Sequence, residues 1–322
     1  MPDLAIVIVS YNVRDLLRAC LDSVQTELER SGLAGEIWVV DNGSSDGSAA
    51  MVRERFPEVH LLALEENMGF ARASNAALRE MSDLAGACIT GAGTSPTSKY
   101  ALLLNPDTST EPGALRTLVE FMENHRAAGV AGPQLRYPDG SFQHSAFRYP
   151  TLAQVLLDFF PLHHRLINSR LNGRYPRRWY EGGEPFEIDH PLGAAMMVRW
   201  EAIQQVGLLD ERFFLYCEEI DWCWRMKRAG WRAYCVPRAV IIHHEAQSTR
   251  QLADEMFVQL WRSRYRLFEK HYSRLFRSVA RQLVRLGVGA EMARARRAHS
   301  RGQLTRKAYQ RRAAALQQVR QM

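Results

Sequence analysis

Short apolar runs alternate with segments of helical periodicity along the first third of the chain. The run at 4–9 is rich in β-branched residues, which is typical of a strand buried on both faces. Apolar side chains then recur at helical spacing over 13–29, and Gly32 is placed to end that predicted helix. Strand, helix and strand at this cadence predict an α/β fold with a doubly wound, mostly parallel sheet. The same patterns predict strands at 36–40, 59–64 and 100–104 and helices at 48–56 and 67–81.

The pattern changes after the predicted sheet strands. Gly, Ala, Ser and Thr dominate 82–98, which predicts a flexible surface loop, and 134–191 shows little periodicity apart from a predicted helix at 152–166. From 251 to about 286 apolar residues recur at helical spacing with arginines between them. Beyond Arg294 the chain is polar and basic, and helix or disorder both fit this composition. We therefore expect a main domain at 1–250 and a basic amphipathic helical extension at 251–322.

The charge is unevenly distributed along the chain. The net charge is +7, but residues 250–322 hold 18 Lys and Arg against 4 Asp and Glu, whereas the first 249 residues hold 24 against 31. A basic extension predicts an anionic partner, either a membrane surface or a nucleic acid. The sequence contains no uncharged apolar run of eighteen residues and no secretory signal pattern, and its five cysteines are not spaced as metal pairs. We expect a cytoplasmic protein with reduced thiols.

Polar clusters follow the first two predicted strands, at the edge where doubly wound sheets bind ligands. Ser10, Tyr11 and Asn12 follow the first strand, and Asp41 and Asn42 follow the second. The Tyr11 ring offers a flat face to a nucleobase, and the Asp41 carboxylate can accept a hydrogen bond from a base N–H or a ribose hydroxyl. An ordinary Asp-Asn-Gly-Ser turn explains the same residues.

Two further strand ends carry groups that bind cations. Asp107 follows the strand at 100–104 and can hold a divalent cation that bridges two phosphates, with phosphate and water completing the coordination. The alternative is that Asp107 or Thr108 caps the next helix. His243 and His244 end another apolar run, where they are either metal ligands or structural residues.

Glu218, Glu219 and Asp221 lie within an otherwise aromatic and apolar stretch at 213–225. Burying these carboxylates costs several kcal/mol unless each is paired or protonated. A carboxylate whose pKa is raised in this way suits a general base. The alternative is a helix N-terminus at which acids are favoured by the dipole and paired with Arg225.

Taken in order, six segments resemble family 2 glycosyltransferases of the GT-A fold, and most closely the bacterial rhamnosyltransferases that build cell-surface polysaccharides. The resemblance covers about 4–250, so it implies a GT-A catalytic domain over the main domain. The matching segments are VIVSYN (7–12), VVDNGSSDGS (39–48), NMGFARASNAAL (67–78), LLLNPDT (102–108), GLLDERFFLYCEEIDWCWRMKRAGW (207–231) and HHEAQST (243–249).

The resemblance implies roles for individual positions. It implies that Asp107 is a metal ligand with His243 as an accessory ligand, that Glu219 is the catalytic base, and that Mg²⁺ or Mn²⁺ is the cofactor. Two positions depart from the family pattern: Asn105 replaces the first acid of Asp-x-Asp, and Glu219 replaces an Asp, which leaves Glu218 or Glu219 as the base. The residues implied to contact or shape the donor site are Ser10, Tyr11, Asn12, Asp41, Asn42, Gly69, Arg72, Asn75 and Asn105, and those implied to face the acceptor are Gly193 and Ala194.

The reaction implied is inverting transfer of a sugar, with rhamnose as the first candidate, from a dTDP- or UDP-linked donor to a hydroxyl of a glycan or a lipid-linked sugar. Such an enzyme would work in the cytoplasm or peripherally on the inner face of the cell membrane, with the basic extension on the membrane or packed against the protein. A nucleotidyltransferase would carry a Gly-rich, Lys-containing signature that 10–20 lacks. A nucleic-acid-binding protein fits the basic extension but leaves the acids at 218–221 unexplained. A nucleotide-sugar-binding protein without activity is the other alternative. The sequence leaves the oligomeric state open.

Overall fold

A computed structural model describes residues 3–84, 98–160, 166, 168–244 and 253–322. These residues form two compact units. Most of the loop predicted at 82–98 lies outside the described residues, as does Cys88, whereas Ser82 belongs to a helix. The first unit comprises Met1–Phe147, Arg177–Phe214 and Glu218–Ser248, and the second comprises Arg148–Pro176, Leu215–Cys217 and Thr249–Met322.

The strands and helices expected from the periodicity between 4 and 104 are present, with ends that differ by a few residues from the predicted ones. The helix predicted at 152–166 ends at Phe159, and 161–165 and 167 lie outside the described residues. The strands are β1 (Leu4–Ser10), β2 (Gly35–Asp41), β3 (His60–Ala63), β4 (Tyr100–Leu104), β5 (Thr108–Thr110), β6 (Ala128–Arg136), β7 (Phe142–Gln143), β8 (Ala146–Phe147), β9 (Phe186–Ile188), β10 (His190–Pro191), β11 (Ala195–Arg199) and β12 (Arg232–His243). The helices are α1 (Arg14–Ser31), α2 (Ser48–Arg55), α3 (Phe70–Leu84), α4 (Ala114–Asn124), α5 (Leu152–Phe159), α6 (Arg177–Glu181), α7 (Trp200–Val206), α8 (Glu218–Arg228), α9 (Ala253–His271), α10 (Arg274–Ser300) and α11 (Arg306–Gln321), with a 3₁₀ turn at Arg170–Asn172.

A ten-stranded mixed sheet forms the centre of the first unit. Its order is β3-β2-β1-β4-β11-β6-β12-β5, with β7 beside β6 and β9 beside β12. Strands β1 to β4 are parallel, as are β6 and β12, whereas β11 runs antiparallel to both β4 and β6. The predicted mostly parallel α/β sheet is therefore confirmed as a mixed sheet, with antiparallel β11 inserted into it and the short strands β5, β7 and β9 antiparallel to their neighbours.

Helices on both sides of the sheet bury its apolar residues. Every residue of β1 and β4 is buried, as expected for strands covered on both faces. Helix α1 ends as predicted, because Gly32 adopts φ +64° and its N–H donates to the Leu28 carbonyl at 3.0 Å. Two short strands, β8 and β10, pair with each other in a separate two-stranded sheet.

The second unit is a helical bundle built on α5, α9, α10 and α11. Its core includes Phe159, Trp261, Val284 and Leu316, and the Phe159 and Trp261 rings stack with centroids 5.0 Å apart. The Arg264 guanidinium pairs with the Asp158 carboxylate within this unit. None of the helices in the described part of the chain is long and apolar enough to cross a membrane.

The basic extension differs from the single predicted stripe at 251–286. The stripe breaks between α9 and α10, where the Ser273 hydroxyl accepts from the Phe276 N–H at 3.2 Å and caps α10. The extension stays helical beyond Arg294, to the end of α10 and again in α11. Of the two interpretations of this polar segment, helix is therefore the one observed.

Two glycines of α10 provide a matched test of its packing. A Cβ at Gly287 would lie 2.1 Å from Phe159 Cγ, whereas a Cβ at Gly289 meets nothing within 4 Å. We expect Gly287→Ala to lower the free energy of unfolding by about 1–3 kcal/mol through overpacking. Gly289→Ala should raise it by up to about 1 kcal/mol because alanine favours the helix. Urea unfolding followed by circular dichroism measures both, and equal stability of the two variants would contradict the described packing.

Candidate active site

The topology brings the carboxyl ends of several strands to one edge of the sheet. Ser10 and Asp41 are paired in the β1–β2 register, and Leu104, the last residue of β4, pairs with Ile8. Because β11 is antiparallel to β4, its first residue, Ala195, lies opposite Leu104. His243 ends β12, which is parallel to β6. The polar groups after these strands therefore share the edge that doubly wound sheets use for ligands.

Buried acceptors without protein partners lie at the β1 and β2 end of this edge. Asp41 is buried, and its Oδ2 accepts from the Ser44 N–H at 3.1 Å. Its Oδ1, like the Ser10 hydroxyl, has no hydrogen-bond partner among the described residues. A buried acceptor of this kind costs free energy unless a ligand satisfies it. The neighbouring Tyr11 ring is 40% exposed, so a flat aromatic face is accessible beside Asp41.

The turn after β2 is tied to the turn after β1. Asn12 adopts φ +54°, its N–H donates to the Ser44 hydroxyl at 3.0 Å, and its Oδ1 accepts from the Ser45 N–H at 2.8 Å. The Arg14 N–H donates to Asp46 Oδ2 at 2.8 Å. These hydrogen bonds fix the position of Tyr11. Asn12 therefore has a structural role, because it connects the two turns.

Asn42 and Gly69 connect the β2 turn to the start of α3. The Asn42 side chain donates to Asn67 Oδ1 at 3.0 Å and accepts from the Met68 N–H at 2.9 Å, so both ends of the amide are used inside the protein. Gly69 has φ +83°, and a Cβ there would lie 2.3 Å from the Phe214 carbonyl oxygen. Only glycine allows this close approach to Phe214.

Arg72 and Asn75 of α3 both reach Glu211. Asn75 is fully buried, donating to the Leu209 carbonyl at 2.8 Å and to Glu211 Oε1 at 3.1 Å. Arg72 is half exposed, and its Nε lies 3.8 Å from Glu211 Oε2. Asn75 thus holds the 209–211 segment in place, whereas the guanidinium of Arg72 is exposed.

Asp107 and His243 meet at the β5–β12 end of the edge. His243 Nε2 lies 3.4 Å from Asp107 Oδ1, and both residues are buried. The His244 N–H donates to the Asp107 carbonyl at 2.9 Å. The alternative interpretation of Asp107 or Thr108 as a helix cap is wrong, because Thr108 begins strand β5 and Gly113 precedes α4.

This pair fits a divalent cation that shares its coordination with phosphates. One carboxylate oxygen, the type of donor that Mg²⁺ and Mn²⁺ prefer, converges with one imidazole nitrogen at a buried position. The described residues contain no cluster of three or more His, Cys, Asp or Glu that could hold a metal. With two protein ligands, a cation held here would need phosphate oxygens and water for its remaining positions.

The three acids of α8 have different surroundings. Asp221 is fully buried and forms a 2.9 Å ion pair with Arg225 Nε, and Arg225 Nη2 donates to the Leu208 carbonyl at 2.7 Å. The ion pair with Arg225 that the alternative interpretation expected is therefore present, and through Arg225 it holds the 206–208 turn. Burial, together with the charge of Glu219, raises the pKa of Glu218 well above its usual range. Glu219 itself is half-buried.

Gly193 and Ala194 join the acids of α8 to the β4 turn. A Cβ at Gly193 would lie 3.7 Å from Glu219 Cδ, so the carboxyl group of Glu219 packs beside this backbone. The Ala194 carbonyl accepts from the Asn105 N–H at 2.9 Å. Through these contacts Glu219 lies at the same edge as Asn105 and Asp107.

Two side chains at this edge were not singled out by the sequence. The first is Gln143 of β7, whose Nε2 lies 3.1 Å from His243 Nδ1. The second is Glu211, which pairs with Arg72 and Arg79 and accepts a hydrogen bond from Asn75. Gln143 falls in the weakly periodic region and is one hundred positions from its partner, so no local signal marks it. Glu211 belongs to the GLLDERFF segment that the resemblance includes, but the sequence does not indicate its partners on α3.

Comparison with known proteins gives consistent matches. The chain matches Glycosyl transferase family 2 over residues 5–193 and Glycosyl transferase family group 2 over 100–310. It is 32% identical over 253 residues to the N-acetylglucosaminyl-diphospho-decaprenol L-rhamnosyltransferase of Mycobacterium tuberculosis, covering 76% of this chain and 77% of the relative.

A second relative and a solved structure extend the comparison. The dTDP-rhamnosyl transferase RfbF of Shigella flexneri is 24% identical over 238 residues, covering 74% of this chain and 67% of the relative. The mannosyltransferase PcManGT of Pyrobaculum calidifontis, solved with GDP-Man and Mn²⁺, superposes with a TM-score of 0.53 at 15% identity, covering 99% of this chain and 87% of that one. The chain therefore belongs to glycosyl transferase family 2, and it is a glycosyltransferase that resembles rhamnosyltransferases.

Proposed function

We propose that this glycosyltransferase moves a sugar, with rhamnose as the first candidate, from a dTDP- or UDP-linked donor to a hydroxyl of a glycan or lipid-linked acceptor, with inversion at the anomeric carbon. The observation that carries the proposal is the shared edge on which Glu219 packs beside Gly193 and Asp107 meets His243. It supports a site in which a base and a diphosphate-binding group face the same substrate.

The nucleoside would bind at the β1 and β2 end of this edge. The buried Asp41 Oδ1 can accept a hydrogen bond from the base, and the exposed Tyr11 ring can stack on it. Ser10 offers a buried hydroxyl nearby, and Asn12 holds the turn in place. Asn42, Gly69 and Asn75 would act by shaping the pocket, since their contacts are internal.

Asp107 and His243 would hold Mg²⁺ or Mn²⁺ beside the donor diphosphate, with Asn105 at the same turn. When bound, the cation would neutralise the negative charge that develops on the departing diphosphate. The Mn²⁺ in the solved mannosyltransferase supports this assignment, since that enzyme shares the fold.

Glu219 would act as the base rather than Glu218. The half-buried Glu219 lies against the Gly193–Ala194 segment assigned to the acceptor, whereas Glu218 is buried, and burial raises its pKa and disfavours the charged form that a base needs. In one displacement the acceptor oxygen forms a bond to the anomeric carbon, and Glu219 takes the hydroxyl proton. The bond from that carbon to the diphosphate breaks, and the nucleoside diphosphate leaves.

The relatives suggest the substrates and the location. One relative is named for L-rhamnosyl transfer to a decaprenol-linked sugar and another for a dTDP-rhamnosyl donor. We infer that this chain acts in the cytoplasm at the inner face of the cell membrane, in cell-surface polysaccharide synthesis. The basic helical extension would contact the membrane, and a nucleic acid has no place in this function.

Replacing the proposed base gives a direct test of its role. We expect Glu219→Gln to lower the transfer rate by about 10²–10⁴-fold, because the amide cannot accept the hydroxyl proton. Donor affinity, measured by calorimetry, should change little. Glu218→Gln serves as the matched comparison and should retain transfer within about tenfold, since the amide resembles a protonated carboxyl. If Glu218→Gln is the inactive variant, the assignment of the base is reversed.

A donor panel tests the reaction type and the cofactor. Purified protein is incubated with dTDP- and UDP-sugars and a polyprenyl-diphosphate-linked sugar, with Mn²⁺, Mg²⁺ or a chelator. We expect nucleoside diphosphate release with one donor, loss of the activity in chelator, and an inverted anomeric centre in the product by NMR. In a parallel incubation with dTTP or UTP and a sugar 1-phosphate, release of inorganic pyrophosphate would indicate a nucleotidyltransferase. A retained anomeric centre in the transfer product would exclude the single displacement.

A further inference from the structure

Helix α10 carries two apolar faces, and the described residues cover one of them and leave the other exposed. Ala280, Val284 and Val288 are buried in the core of the second unit. On another side of the helix Leu275 is 75% exposed and Leu286 is 66% exposed, and Val279 is partly exposed between them. Their spacing of four and seven residues aligns these three side chains on one surface. We refer to Leu275, Val279 and Leu286 as the outer row of α10.

A row of arginines runs beside the outer row. Arg274, Arg277, Arg281 and Arg285 line an open groove together with Ser278 and Gln282. No Asp or Glu occurs between Lys270 and Ala290. Arg281 lies 3.5 Å from Glu269, whereas the other three arginines form no ion pair with a described residue. The surface is therefore both apolar and positively charged.

We infer that this face of α10, formed by the outer row and the four arginines, docks on an anionic lipid bilayer. Exposed leucines can enter the acyl boundary while arginines stay at the level of the anionic headgroups. A symmetric contact with a second copy would place two arginine rows opposite each other, which like charges disfavour. A nucleic acid would engage the arginines but leave the leucines exposed. The inference specifies the membrane contact of the proposed function and is independent of its chemistry.

Vesicle binding by the full chain tests this surface. We expect the protein to co-sediment with vesicles containing phosphatidylglycerol and not with pure phosphatidylcholine vesicles. We expect each of two variants to lower the partition coefficient by about tenfold or more. The first variant combines Leu275→Gln and Leu286→Gln, and the second combines Arg274→Gln, Arg277→Gln and Arg285→Gln. The matched control combines Arg296→Gln, Arg301→Gln and Arg311→Gln. It removes three positive charges, as the arginine variant does, but from other exposed positions, and it should keep most of the vesicle binding.

The outcomes separate the surface from the enzyme. Equal binding of the α10 variants and the parent protein would overturn the inference, as would an equal loss in the control, because binding would then follow total charge. Circular dichroism checks that each variant is folded. Transfer to a water-soluble acceptor is measured in parallel, so a failure of the transferase proposal shows there and not in the vesicle assay.

A second, independent observation concerns Gln143 and the cation site. Gln143 is buried on β7, with its Nε2 3.1 Å from His243 Nδ1, while its Oε1 has no hydrogen-bond partner among the described residues. In this orientation the amide donates to Nδ1, so the neutral imidazole carries its proton on Nε2 and directs it at Asp107 Oδ1, 3.4 Å away. That tautomer occupies the nitrogen that a cation would need.

Rotation of the amide by half a turn reverses this arrangement. The oxygen and nitrogen of an amide have nearly the same size, so the rotated side chain fits the same space. Its Oε1 then accepts from Nδ1–H and gains the partner it lacks, and the lone pair on His243 Nε2 becomes available beside Asp107. Metal-bound histidines generally donate their other ring N–H to an acceptor of this kind.

We propose that Gln143 is a positioning residue that selects the cation-binding tautomer of His243. This proposal rests on the proposed metal use. Gln143→Leu removes the acceptor and should weaken Mn²⁺ binding by about 10–100-fold. Gln143→Glu keeps an acceptor at Nδ1–H and should preserve Mn²⁺ binding. Gln134→Leu is the control, because Gln134 precedes Leu135, the register partner of Gln143, and therefore faces the other side of the sheet.

Mn²⁺ affinity is measured by electron paramagnetic resonance in the presence of dTDP, without turnover. Weaker binding in Gln143→Leu alone supports the proposal, and unchanged binding in that variant overturns it while leaving the metal assignment intact. If the parent protein itself binds no Mn²⁺ with nucleotide present, both the metal assignment and the role of Gln143 are overturned. Thermal unfolding of each variant separates a folding defect from a loss of cation affinity.

Discussion

The pairing of β12 with β5 and β6 fixes the geometry on which the candidate site depends. Backbone hydrogen bonds set His243 opposite Thr108, and the His244 N–H donates to the Asp107 carbonyl at 2.9 Å. Because a strand register cannot shift by one residue without moving every side chain to the other face, this pairing determines which groups reach the edge. Two side chains more than 130 residues apart in sequence are thereby held at 3.4 Å.

The polar groups at this edge divide into two kinds. Asn75, Asn42 and Asp221 have their hydrogen bonds satisfied within the protein, and each fixes a loop. Asp41 Oδ1 and Gln143 Oε1 are buried and have no partner among the described residues. Since buried polar groups are normally satisfied, the second kind marks positions where a ligand or a rearrangement completes the bonding. Burial alone therefore does not distinguish a structural acid of α8, such as Asp221 with its Arg225 ion pair, from a candidate catalytic one.

Local pattern predicted much of the fold and part of the site. Apolar runs at 4–9 and 100–104 became buried strands, and the polar clusters after them reached one edge, because parallel strands must align their carboxyl ends. The break at Ser273 was missed because apolar residues continue at helical spacing on both sides of it. The structural role of Asn75 and the contact of Gln143 with His243 depend on pairings over 134 and 100 residues, which no local periodicity records.

The charge of the edge bears on how a nucleoside diphosphate can bind there. The first 249 residues carry 24 basic against 31 acidic groups, and Asp41, Asp107 and Glu219 lie at the edge itself. Arg72, the basic residue of α3 that the family pattern associates with the diphosphate, already lies near Glu211. A diphosphate placed among these acids would be repelled unless a local positive charge compensated for it. A divalent cation held by Asp107 would supply that positive charge and allow a diphosphate to bind at the acidic edge. This is the physical reason to expect metal use in a chain that has Asn105 and Asp107 where the family pattern has two acids.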